Sequence, residues 1–251
     1  MPKITVYPDN DSLIRGAADF IVELAVQAIV ARGRFTLALS GGNTPRPLYA
    51  RLATPAYRDR IDWAKVHIFF GDERCVPPDD PRSNYRMVRE ALLDQVPLSA
   101  GKVHRLRGED PPEQAAADYA RVLQKTFGGD AAAGGPPPEG FDLILLGMGD
   151  NGHTASLFPG LAVVTETRRW VMAQYVEVAG MWRVTLTPVV LNAARQVAFL
   201  VSGGGKAEVL HRVLEGPYQP VALPSQIIKP SHGELRWLLD ATAAAKLRRE
   251  S

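Results

Sequence analysis

Three glycine-rich segments and a few charged side chains hold most of the chemical potential of this sequence. The segments are Ser40-Gly41-Gly42-Asn43-Thr44, Gly147-Met148-Gly149-Asp150-Asn151-Gly152-His153 and Ser202-Gly203-Gly204-Gly205-Lys206. Glycines of this kind let backbone come close to an anion, and a following helix offers free N–H groups and a positive dipole end. One such loop is a weak sign, because turns use glycine anyway. Three that each follow an apolar run point to one shared pocket, although the third alone also reads as a tight turn. Among the five histidines, His153 lies on a loop between Gly152 and a candidate helix start at Thr154, whereas His67 sits inside an apolar run and reads as packed or capping. Asp72-Glu73-Arg74 places two carboxylates and a guanidinium at the end of that run. Arg183 interrupts the strand-like Trp182–Thr187, where a charge is either edge-exposed or aimed at an anion. Lys206 opens a helix, where a cation opposes the dipole unless an anion binds beside it. Each charge alone reads as a solvated one. Together they suggest a phosphorylated substrate.

Familiar alternatives fail on spacing. Gly147, Gly149 and Gly152 satisfy G-x-G-x-x-G, but a dinucleotide site also needs a long helix and an acidic residue about twenty positions on. Here Pro159-Gly160 interrupts first. Gly203-Gly204-Gly205-Lys206 resembles part of a nucleotide phosphate loop, yet Ala207 stands where Ser or Thr must hold magnesium. No G-x-S-x-G elbow supplies a nucleophilic serine. The histidines show no pair at metal-ligand spacing. The single cysteine, Cys75, forms neither an internal disulfide nor a cysteine cluster.

The elements that must position these groups follow from hydrophobic pattern. Strands are expected at Ile4–Tyr7, Phe35–Leu39, Val66–Phe70, Phe141–Leu146, Gln196–Val201 and Leu235–Leu239. Several are apolar without alternation, as in parallel sheets covered on both faces. Asn10-Asp11-Ser12 can cap a helix reaching about Ala31, with Leu13, Ala17, Phe20, Ile21, Leu24 and Ala28 on one face. A second helix begins around Pro47–Leu52. Strand and helix alternate, so the class is α/β with a mainly parallel sheet and helices on both faces. Gly128–Gly140 is low in complexity and reads as a mobile surface loop within one domain spanning residues 1–251. At 251 residues, with 46% hydrophobic and 22% charged, one large core is feasible. A net charge of +2 with scattered basic residues gives no nucleic-acid stripe. No apolar run is long enough to span a membrane. The expected setting is cytoplasmic.

The chain resembles the 6-phosphogluconolactonase family. The resemblance rests on Leu37–Pro45, on Phe70–Arg74 with Val76-Pro77 and Ser83-Asn84-Tyr85, on Leu146–Gly160, on Arg183–Thr187 and on Gly205–Ala207, in family order. The Gly-His-Thr-Ala-Ser-Leu-Phe-Pro string is its most specific part. The Ser-Gly-Gly-x-Thr-Pro string is shared with amino-sugar phosphate deaminases. One departure stands out, since the family commonly has Asp directly before Gly-His and this chain has Asn151, with Asp150 one place earlier. Asn151 can orient an imidazole but adds no charge.

The resemblance implies a Rossmann-like fold of the glucosamine-6-phosphate deaminase/ribose-5-phosphate isomerase type. It implies hydrolysis of 6-phospho-D-glucono-1,5-lactone, in the oxidative pentose phosphate pathway, with no metal or cofactor. His153 is then the expected general base, and Arg74, Arg183 and Lys206 the phosphate clamps. Arg74 and Asp72 count as candidate catalytic groups, and Ser40, Gly41, Gly42, Asn43, Thr44 and Gly152 as substrate-binding. Loop N–H groups at Gly41–Asn43, or an arginine, would meet the oxyanion. An imidazole near its usual ~6.5, raised by substrate phosphate, would make activity climb through that range. The partner expected is a small sugar-phosphate lactone, with no nucleic acid or membrane, the protein being a monomer or weak homodimer. The rivals are an amino-sugar phosphate isomerase or deaminase using the same pocket and a non-catalytic sugar-phosphate sensor.

Overall fold

The computed structural model describes residues 2–248; Met1 and residues 249–251 of the expected domain lie outside the described part. Nine strands occur there: β1 (Lys3–Tyr7), β2 (Phe35–Leu39), β3 (Val66–Phe70), β4 (Asp72–Arg74), β5 (Leu143–Leu146), β6 (Val171–Val176), β7 (Met181–Leu186), β8 (Gln196–Val201) and β9 (Glu234–Asp240). The helices are α1 (Asn10–Arg32), α2 (Arg46–Leu52), α3 (Pro55–Arg58), α4 (Asn84–Ala91), α5 (Pro112–Phe127), α6 (Pro188–Leu191) and α7 (Ala207–Glu215).

Six strands form a wholly parallel sheet in the order β1-β9-β8-β5-β2-β3. β2 and β5 are buried at every position, which is why their sequences lack alternation. From β2 the chain steps outward to β3 and later returns to β5 on the other side of β2. That reversal makes a switch point, and ligands of open α/β sheets bind beyond the strand ends at such points. Since β2, β5 and β8 are neighbours, the three glycine-rich segments emerge side by side at their carboxyl ends.

A second, antiparallel sheet runs β4-β7-β6. Gly71 joins the two sheets: its N–H donates to Leu39 O (2.9 Å) and its carbonyl accepts from Leu186 N (2.9 Å). β7 is the central strand of this sheet, so Arg183 does not lie on an edge. Two tyrosines clamp the ends of β2 and β3 in the same way. Tyr49 donates to Ser40 O (2.7 Å) and accepts from Ser40 N (3.1 Å); Tyr119 does likewise with Phe70. Burial pushes both phenol pKa values up, so they stay hydrogen-bonding hydroxyls.

Several boundaries differ from expectation. The α1 cap is Asp9, whose carboxylate accepts from Ser12 N at 2.7 Å, and Gly33 ends the helix at φ 71°. Phe20 and Leu24 are only partly buried, because the covered face turns toward Ile14, Ala18 and Val22 instead. β5 begins at Leu143, since Asp142 is taken by Arg32 and Thr36. β6 was not expected at all. Thr154 starts no helix; it bridges to Leu157 across a tight turn. The 128–140 segment is tied down rather than loose: Trp170 Nε1 donates to Gly135 O (2.8 Å) and Arg34 pairs with Glu139 (2.8 Å). No described helix is long and apolar enough to cross a membrane.

Candidate active site

A cavity of about 370 Å³ opens at the switch point. Ser40, Gly41, Gly42, Asn43, Thr44, Asp72, Arg74, His153, Arg183 and Lys206 all line it. Gly152 does not. It lies buried behind the loop at φ 78°, where a Cβ would meet Leu223 at 2.8 Å, and its carbonyl accepts from Ser225 N (2.9 Å) and Oγ (2.9 Å). Its work is to turn the chain so that the next residue faces the cavity.

His153 is held on three sides. Its Nδ1 meets Asn151 Oδ1 at 2.6 Å, and its backbone N–H donates to the same oxygen at 3.2 Å. Because that oxygen only accepts, Nδ1 carries the proton and Nε2 keeps a free lone pair. The ring stacks on Phe158 with centroids 4.0 Å apart and 18° between planes. On another side lies Gly149, where any Cβ would strike the ring at 2.0 Å. Burial, the largest cause, takes the imidazole pKa down to about 4, with Arg183 and Lys206 helping and Asp72 and Asp150 opposing. The expected value near 6.5 is therefore corrected: burial keeps the ring neutral further into the acid range.

Opposite the histidine, two arginines share one rung of a sheet. Arg74 and Arg183 are paired directly across β4 and β7. Like charges placed so are destabilising unless something between them is negative. Asp72 lies two residues away and supplies part of that charge, with Arg183 Nη1 at 3.7 Å from its Oδ2. Asp72 is otherwise occupied: Oδ2 accepts from Ser156 Oγ (2.6 Å) and Oδ1 from Asn84 Nδ2 (3.3 Å). The Nε groups of both arginines are buried without a partner. Burial lowers the Arg183 pKa and Asp72 holds it up, which leaves a charged group short of counterions. Its guanidinium also stands 5.6 Å from the Phe158 centroid, so the ring under His153 touches both functional groups.

Lys206 reaches across the mouth to Asp150, which its hydrogen bond holds below the usual carboxylate range. The loop after β2 adds backbone donors: among the described residues, the N–H groups of Gly41, Gly42 and Asn43 have no acceptor. Ala155, also on the wall, has φ 46°, a region costing a non-glycine residue about 1–3 kcal/mol. Sequence reasoning missed Asn84, Ser156, Phe158 and the Asp150–Lys206 pair as parts of the site. Only the helix-capping Ser83 before Asn84 left a local signal. The arrangement offers a neutral base, unsaturated cationic donors and free amides around one polar cavity, which suits water attack on an acyl carbon of an anionic ligand.

Comparison with known proteins places the chain in a family. Residues 8–237 match the family model described as glucosamine-6-phosphate isomerases/6-phosphogluconolactonase. The chain is 42% identical to 6-phosphogluconolactonase of Nostoc sp. over 97% of its length and 98% of the relative's. It is 42% identical to that of Synechocystis sp. over 98% and 99%. The solved 6-phosphogluconolactonase from Trypanosoma cruzi superposes with a TM-score of 0.86 at 30% identity, covering 99% of this chain and 98% of that one. A monomeric glucosamine-6-phosphate deaminase shares the fold, with a TM-score of 0.80 at 20% identity over 97% and 99% of the two chains. The chain belongs to the glucosamine-6-phosphate isomerase/6-phosphogluconolactonase family.

Proposed function

We propose that this protein hydrolyses 6-phospho-D-glucono-1,5-lactone to 6-phosphogluconate in the oxidative pentose phosphate pathway. The observation that carries the reading is the contact of His153 Nδ1 with Asn151 Oδ1: the amide oxygen accepts from Nδ1–H, which leaves Nε2 as the basic nitrogen of a ring lining a cavity walled by cations. Water gives its proton to Nε2 as its oxygen bonds to the lactone carbonyl carbon. The tetrahedral oxyanion then collapses, the ring C–O bond breaks, and the imidazolium returns the proton to the departing alkoxide. A positioned base supplies roughly 10²–10⁴-fold.

Arg74, Arg183 and Lys206 hold the substrate's negative charge, and the remote phosphate thereby fixes the ring against His153. Phosphate displaces Asp150 from Lys206, exchanging one charge-assisted contact for another. The amides of Gly41–Asn43, or an arginine, meet the oxyanion, and one good donor is worth about 2.7–4 kcal/mol. Asp72 aligns Arg183 and Asn84, its two oxygens already accepting from Ser156 and Asn84. Relatives named for the lactonase, 42% identical over nearly the whole chain, favour this reaction over deamination of an amino-sugar phosphate.

The test is to generate the lactone enzymatically from glucose 6-phosphate and follow its disappearance with and without protein, subtracting spontaneous opening. The expected result is loss well above background, linear in protein. No acceleration, or exchange of a carbon-bound substrate proton with solvent, would overturn the reading.

A further inference from the structure

Asn84 presents a buried acceptor that nothing in the protein uses. The residue is 1% exposed and lines the cavity, yet its Oδ1 has no hydrogen-bond partner. The amide cannot be turned around. Nδ2 donates to the Asp72 carbonyl (2.9 Å) and to Asp72 Oδ1 (3.3 Å), both of which only accept, so a flipped amide would set oxygen against oxygen. The backbone is fixed too, since Asn84 N donates to the buried Glu73 carboxylate at 2.7 Å. On the remaining side Oδ1 fits against Gly41, where any Cβ would lie 1.7 Å away. Gly41 is glycine to make room for this oxygen, not for an unusual φ.

An orphaned buried acceptor loses its water without replacement, and native proteins rarely leave one without a reason. We infer that Asn84 Oδ1 accepts a hydrogen bond from a ring hydroxyl of the bound sugar and thereby determines which lactones are turned over. An acceptor oxygen repels phosphate oxygens and takes a hydroxyl, so this part of the wall faces the polyol rather than the phosphate. The buried arginine Nε donors of the same cavity complement it: they take the substrate's acceptors, Asn84 one of its donors. The inference rests on the lactonase reading and sharpens it from a reaction to a specificity.

The experiment compares kcat/KM for the parent lactone with its 2-deoxy, 3-deoxy and 4-deoxy analogues, all 6-phosphorylated, on the unaltered protein and on Asn84→Ala. One analogue is expected to lose roughly 10–100-fold on the unaltered protein, because it leaves Oδ1 unpaired. On Asn84→Ala that analogue and the parent lactone should converge to within about threefold. Equal rates for all four on the unaltered protein would overturn the inference, and need no variant to fold. A penalty that persists undiminished in Asn84→Ala would overturn it as well. Failure of the unaltered protein to hydrolyse the parent lactone would instead remove the functional reading beneath it.

Discussion

Two histidines in this molecule share a depressed pKa and little else. Burial takes His153 and His104 each down to about 4. His104 stacks on Phe69 at 4.4 Å, and its Nε2 meets Nδ1 of His67 at 3.2 Å. Its backbone N–H donates to Ile68 at 2.8 Å, extending the outer edge of β3. Both of its neighbours are aromatic rings, and it borders no cavity cation. His153 has its Nδ1 proton assigned by Asn151, its other nitrogen free, and Arg183 and Lys206 on the same wall. A shifted pKa therefore marks burial in both places, and only the free nitrogen beside unsatisfied cations marks chemistry.

Removing each ring is the strongest way to break that comparison. His153→Ala should cut kcat by about 10²–10⁴-fold, the usual range for a lost general base. His104→Gln should keep kcat within about twofold, because nothing it touches reaches the cavity. Background-corrected lactone loss measures both. Comparable losses in the two variants would mean that the distinction drawn from tautomer and surroundings is wrong.

The pH profile separates the two sites more finely. His153 acts only when neutral, so its contribution to kcat/KM should rise with pH through about 4 and add no inflection near 6.5. Asn151→Asp replaces the neutral acceptor at Nδ1 with a carboxylate that favours imidazolium, and the inflection should move upward by about 1–2 units. The substrate's phosphate ionises near ~6 in both experiments, so the difference between the two curves isolates the imidazole. Superimposable curves would show that Asn151 does not govern the base.

The parallel sheet was legible because its strands are buried on both faces and so lose alternation, as in β2 and β8. The small sheet was only half legible. β7 read as a strand, but β6 did not, and the pairing that sets Arg74 opposite Arg183 joins residues far apart in the chain. The same holds within the site. His153 and its loop could be picked out locally, because Asn151 is two positions away. Ser156 reaches Asp72 across 84 positions and Asn84 reaches it across 12, and neither spacing has a periodicity to betray it. Gly152 was misread for a related reason: glycine pattern alone does not tell a residue that faces a ligand from one that turns the chain behind it. The imidazole pKa was misjudged because burial by Phe158 and Gly149 is a tertiary property.

The smallest effect belongs to stability in acid, where the two histidines should behave alike. Unfolded, each imidazole takes a proton near ~6.5, and folded, only near 4. Between those values the unfolded chain binds more protons, so stability present above pH 6.5 is lost as pH falls toward 4. At pH 7, His104→Gln should melt below the unaltered protein because its stacking and its contact with His67 are gone. At pH 4.5 that deficit should shrink by about 2–4 °C, since the variant has no buried imidazole to protonate at that position. His153→Gln should narrow the gap in the same direction while abolishing activity. Thermal unfolding at the two pH values measures both. A deficit that widens in acid for either variant would mean that the folded ring is already charged there, and for His153 it would remove the neutral base from which the reaction was built.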